Sequence, residues 1–197
     1  LIEVSLDPLP PIADPELGRK ADAAMIHASL GGNVAEHIVM RVGDPERALA
    51  RAPVRLKATF SIQRHTGVPM ETRGLLAAYD RGTDTVTVWG AAKVPHFNRQ
   101  ILADLLGRPE STVRMVETDV GGGFGVRGEF YPEDFLLPFA AMHLGRPTKW
   151  IADRREPLLA CNHARDVIYE LEIACARDGT ILALRGRGVA DLGAYLR

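Results

Sequence analysis

The chain has 197 residues, 46% of them hydrophobic and 25% charged, with a formal net charge of -1. This length suits one substantial core or two small lobes, and the balance lies well away from the disordered and membrane classes. A charge near zero without a long like-charge block leaves no electrostatic footprint for nucleic acid or an anionic membrane.

No apolar stretch approaches the roughly 18 residues of a membrane span, and the start lacks the pattern of a signal peptide. Cys161 and Cys175 are too few for a disulfide framework or a zinc site and read as thiols of a reducing compartment. The cytoplasm is the expected location, with the periplasm as alternative. The absence of an initiator Met suggests a processed chain, an excised domain or a fragment of a longer protein.

From Leu6 to Ala13, Pro8, Pro10 and Pro11 fix φ and remove backbone donors, which predicts an extended connector. We therefore expect residues 1–20 to enter from an upstream domain and 21–197 to form the domain proper. Asp44 before Pro45 predicts a short capped helix to Ala52. Leu56, Ala58, Phe60 and Ile62 alternate with polar residues, the period of a strand with one apolar face.

Leu75–Tyr79 and Thr85–Trp89 are further strands joined by a hairpin loop. Phe97, Ile101, Leu102, Leu105 and Leu106 have helical spacing and stop at Gly107. Val113–Val116 is a short strand, Glu133–Leu144 a helix that Pro138 should kink, and Lys149–Ala152 a strand. Val167, Tyr169, Leu171 and Ile173 share one face of a strand from Asp166 to Ala174, and Asp178-Gly179 turns the chain into Ile181–Arg185. The expected class is α+β, with mixed or antiparallel sheets and two principal helices. A doubly wound nucleotide fold is disfavoured because helices and strands do not alternate strictly.

Gly121-Gly122-Gly123 precedes Phe124-Gly125. Consecutive residues without Cβ let the backbone take positive φ and bring its N–H groups close to a bulky ligand. A tight strand-to-loop turn is the plainer reading. The G-x-G-x-x-G spacing of a dinucleotide loop is not met.

The surroundings of this run resemble the xanthine dehydrogenase and aldehyde oxidase family, whose G-G-G-F-G loop carries a basic residue two positions later, as Arg127 follows Gly125 here. Further matches in chain order are Gly31-Gly32-Asn33-Val34-Ala35, Met70-Glu71, Trp150-Ile151-Ala152-Asp153-Arg154 with Glu156, and Asp178-Gly179-Thr180-Ile181. The composite pattern most resembles bacterial large subunits of the carbon monoxide dehydrogenase type.

The resemblance implies the first part of a molybdenum-cofactor-binding domain, whose metal is held by a pterin dithiolene in molybdopterin or its cytosine dinucleotide. It places Lys93, Gly122, Gly123, Phe124, Gly125 and Arg127 at the cofactor, with no catalytic or direct metal ligand in this chain. The implied reaction is oxidative hydroxylation of an aldehyde, N-heterocycle or related small molecule, with a glutamate far downstream as base. Implied partners are the rest of the large subunit and iron-sulfur and flavin (FAD) domains or subunits, for whose clusters two cysteines cannot suffice. A non-catalytic structural or assembly subunit that kept the fold is the alternative.

Two positions depart from the family pattern. Lys93 stands where members usually carry a Gln that donates to a molybdenum oxo group; an ammonium also donates, but adds charge and lacks the amide's acceptor. Gly128 stands where purine-oxidising members carry a substrate-binding Glu, and Glu129 next to it points to the other side of an extended segment, which disfavours purine oxidation. Glu71 is expected to hold Arg73 or a neighbouring strand. His65, His96, His143 and His163 lack ligand spacing, and Cys161 reads as a structural thiol.

Overall fold

The structure, a computed structural model, describes residues 3–195. It forms two compact units: residues up to Arg64 together with those from Ala164 onward, and the continuous segment His65–His163. The class is the expected α+β.

In the 65–163 unit, β2 (Gly74–Asp80) and β3 (Thr85–Gly90) form the expected antiparallel hairpin. Its turn is fixed by Asp80, whose carboxylate accepts from Gly82 N at 2.8 Å and Thr83 Oγ1 at 2.9 Å. Helix α3 (Pro95–Leu106) then carries the chain over to β4 (Val113–Val116), which pairs parallel to β3, as a crossover connection requires. After the glycine loop, α4 (Pro132–Leu144) leads to β5 (Thr148–Ile151), antiparallel to β2, giving the order β4-β3-β2-β5.

Alternate residues of β2 and β3, namely Leu75, Ala77, Val86 and Val88, meet Leu102 and Ala103 of α3 and Ala141 of α4 in one buried cluster. Each fully buried Val or Leu there contributes about 1.5–3 kcal/mol, so this cluster holds the unit together. Helix α4 runs through Pro138 without ending; Thr148 Oγ1 donates to the carbonyl of the preceding Leu137 at 2.8 Å.

The other unit is an antiparallel sheet in the order β1-β6-β7, from β1 (Val54–Ile62), β6 (Val167–Cys175) and β7 (Ile181–Ala190), with α1 (Pro15–Gly18) and α2 (Pro45–Arg51). The cap on α2 is the expected one: Asp44 Oδ1 accepts from Arg47 N at 3.1 Å. Strand β7 runs past the expected end at Arg185 because Gly186 and Gly188, which carry no apolar signal, still pair with Leu171 and Tyr169.

The register sets Leu56 opposite Ile173 and Phe60 opposite Tyr169, so the predicted apolar faces coincide. That face is open among the described residues: Leu56 is 64% exposed, Phe60 54% and Leu184 62%. The opposite side carries the Arg55–Glu172–Arg185 ion group, with Ala174 and Leu49 buried. Two helices had no periodic signal because they are too short: α1, capped by Asp14, and α5 (Arg155–Ala160), whose first turn is capped by Asp153. No helix among the described residues is long and apolar enough to cross a membrane.

Candidate functional site

The glycine run leaves the end of β4 and bends back at Phe124, entirely within the 65–163 unit. It is tied to the strand-entry segment 67–72 by reciprocal bonds. Glu71 N donates to Gly121 O at 3.2 Å, and Gly121 N donates to Glu71 Oε2 at 2.8 Å. A Cβ on Gly121 would run into the Cβ of Glu71, which explains the missing side chain there. Gly122 takes φ 103°, a conformation that side chains rarely permit.

Arg127 closes the arrangement from beneath. Its side chain is 4% exposed, and its Nη2 lies 2.8 Å from Glu71 Oε2. Nε donates to Gly122 O at 2.8 Å, while Nη2 also reaches the carbonyls of Glu71 at 3.0 Å and Thr72 at 3.2 Å. A buried guanidinium is tolerated when its donors meet acceptors in this way. Of the expected Glu71 partners, Arg73 is not the one observed: Arg73 instead reaches Glu133 at 3.1 Å and Asp134 at 3.3 Å.

Two non-glycine residues here hold positive φ: Phe124 on the bend at 49° and Val68 in the 67–72 segment at 37°. The segment lies close against the bend at Gly67, next to Val68, where an added Cβ would fall 2.8 Å from Phe124 Cβ. A β-branched residue at positive φ is an outlier costing on the order of 1–2 kcal/mol, and such strain gathers where a ligand must be met. Beyond the bend, Cβ atoms on Gly123 and Gly125 would touch nothing within 4 Å, so backbone lies open on that side. Phe124 is 76% exposed.

Support comes from Tyr131 and Arg73. Tyr131 Oη donates to Val126 O at 2.8 Å and accepts from Asn162 N at 3.3 Å; burial pushes its phenol up to about 12, so it stays a neutral donor. The Arg73 guanidinium lies 3.8 Å from the centre of the Tyr131 ring, a cation–π stack. Asp134 accepts from Tyr131 N at 2.7 Å, and its burial raises its carboxyl above the ordinary value.

Lys93, just ahead of α3, donates its backbone N–H to Arg127 O at 3.1 Å. Its side chain lies across Gly128: the Cβ that Gly128 lacks would sit 3.4 Å from Lys93 Cδ and 4.0 Å from Nζ. Arg154 meets the anchoring segment, donating Nη2 to Met70 O at 2.7 Å, while its buried Nη1 has no partner among the described residues.

Residues 26–197 match the family described as the molybdopterin cofactor-binding domain. The chain belongs to that family. This molybdopterin-binding domain is 36% identical to the 6-hydroxypseudooxynicotine dehydrogenase complex subunit gamma of Paenarthrobacter nicotinovorans, over 100% of this chain and 24% of that one. It is 35% identical to the carbon monoxide dehydrogenase large chain of Hydrogenophaga pseudoflava, over 98% of this chain and 26% of that one. Quinoline 2-oxidoreductase from Pseudomonas putida 86 superposes with a TM-score of 0.91 at 33% identity, covering 98% of this chain and 24% of that chain. The domain thus spans about a quarter of the length of these relatives.

The residues present fit a cofactor of this kind. Open backbone at Gly123 and Gly125 leaves room for a bulky group, and the orphaned Nη1 of Arg154 is a cationic donor that lacks an acceptor. Among the six residues expected at the cofactor, Gly122, Gly123, Phe124 and Gly125 form the bend, Lys93 borders it across Gly128, and Arg127 lies buried under it. Sequence reasoning missed Val68, Tyr131 and Arg154. For Val68 no signal existed, because a residue before proline is pushed toward extended backbone and away from the conformation found. Arg154 stood in a recognised motif, and only the fold reveals its unmatched donor.

Proposed function

We propose that this domain forms one wall of the molybdenum-pterin site in the large subunit of a molybdenum-dependent hydroxylase or dehydrogenase. Its substrate class would be an aldehyde, N-heterocycle or related small molecule. The observation that carries the reading is the bend at Gly121–Gly125, strained, clasped by Glu71 and Arg127, and bare of side chains on its open side.

When bound, the molybdenum-pterin group supplies the redox centre for oxidative hydroxylation. This chain's own residues position it. Gly122, Gly123 and Gly125 offer backbone that a bulky group can approach, and Phe124 covers one edge. Arg127 acts from below: with its guanidinium bound to Glu71 and to carbonyls of the fold, it holds the bend in shape. Iron-sulfur and FAD domains or subunits would take the electrons onward, and the base would come from the part of the large subunit that the relatives have in addition.

Gly123→Leu in the complete, assembled enzyme tests the wall. Gly123 has no positive φ and a Cβ there would meet nothing within 4 Å, so folding should be spared. Molybdenum and pterin per enzyme, measured by metal analysis and pterin fluorescence, should fall well below the wild-type amount. A variant that folds and keeps its full complement of both would sink the reading.

A further inference from the structure

The two departures from the family pattern, Lys93 and Gly128, are one feature in space. They are 35 positions apart in sequence, 128 − 93, yet the Lys93 stem occupies the surface where a side chain at 128 would begin. The backbone bond from Lys93 N to Arg127 O fixes this register, and Arg127 is itself locked by the Glu71 carboxylate. The lysine is therefore held beside the bend by its main chain, while its side chain lies on a glycine.

The charges around it are unevenly matched. Arg127 is neutralised by Glu71, and Arg73 by Glu133 and Asp134. The Lys93 ammonium makes no hydrogen bond or ion pair with any described residue, and its residue is exposed. A carboxylate at 128 would start within 4.0 Å of Nζ and would cancel that charge. With glycine there, the charge stays available to something outside the protein.

We propose that Lys93, bedded on Gly128, is a cationic subsite that binds an anionic oxygen of the substrate, a carboxylate above all. The proposal rests on the reading of the Gly121–Gly125 bend as the cofactor wall, because that wall places the ammonium beside the reacting region. It narrows the substrate class to small molecules that carry an acidic group besides the carbon to be oxidised. An ammonium on a flexible stem suits a single anionic oxygen better than a planar two-point contact. Lys93 here is a specificity-determining residue and takes no part in bond making.

The test uses the complete assembled enzyme and reads binding directly, by calorimetry, with benzoate and benzamide as probes of equal size. Wild-type enzyme should bind benzoate about tenfold more tightly than benzamide, the ratio expected of one charge-assisted contact. Lys93→Met, which keeps the stem and removes the charge, should erase the preference. Gly128→Glu should erase it too, because the ammonium then has an internal partner; both variants should keep wild-type thermal stability.

A wild-type enzyme without the preference, or a preference that survives Lys93→Met, overturns the proposal. Molybdenum and pterin content measured on the same wild-type sample separates the two readings. Cofactor absent from the assembled enzyme would defeat the wall itself, whereas cofactor present with no preference would defeat only the subsite.

Discussion

Glu71 does more with one oxygen than its surface position suggests. Oε2 accepts both from Gly121 N and from the buried Nη2 of Arg127, so its loss leaves a loop amide free and a guanidinium without its counter-charge. The glutamate is 46% exposed, which lets water replace part of what is lost. Glu71→Ala should therefore cost about 2 kcal/mol, the range of a hydrogen bond to a charged group and well short of a fully buried ion pair. Glu71→Gln, which keeps an acceptor oxygen in place, should cost less than about 1 kcal/mol. Urea unfolding gives both values, and amide exchange should quicken at Gly121–Gly125 in the alanine variant only. Equal stability of wild type and Glu71→Ala, with unchanged exchange, would show that the clasp is incidental.

At the scale of elements, local pattern and tertiary closure separate cleanly. The strands β1 to β7 and the helices α2, α3 and α4 were legible because each carries a period or a cap in its own residues. The glycine bend was legible as a motif, but its mechanics were not. Nothing local pairs Glu71 with Arg127, lays Lys93 on Gly128, or leaves Arg154 Nη1 unpartnered, since each depends on which segments the sheet brings together. Val68 is the plainest case. Its φ of 37° opposes both its branched side chain and the proline after it, so only the packing of segment 67–72 against the bend can impose it.

That origin gives a prediction at the same scale. Val68 is 48% exposed and buries little that a substitution would lose. Asn tolerates the left-handed region far better than Val, so Val68→Asn should stabilise the domain by about 1 kcal/mol, read as a higher urea midpoint. An unchanged or lower midpoint would mean that the strain at Val68 is compensated by contacts of its side chain.

For the whole molecule, the decisive asymmetry is where the buried apolar residues lie. Leu49 and Ala174 apart, every buried hydrophobic residue among the described residues falls between Leu75 and Cys161. That segment belongs to the continuous 65–163 unit, whereas the β1-β6-β7 sheet presents Leu56, Phe60 and Leu184 to solvent on its apolar face. Burial at about 25 cal/mol per Å² is what offsets chain entropy, so the two units cannot be equally self-sufficient. Chain order allows them to be separated: the 65–163 unit is inserted between β1 and β6, whose facing ends, Ile62 and Val167, are paired. The segment 65–163 made alone should unfold in urea as a single cooperative transition and keep the protection of the Gly121–Gly125 amides. The complementary piece, with residue 64 joined to 164 through a short turn, should bind an apolar dye and unfold without a sharp transition. If the complementary piece proved the cooperative one, the core that positions the Gly121–Gly125 bend would have to draw its stability from outside the residues that line it.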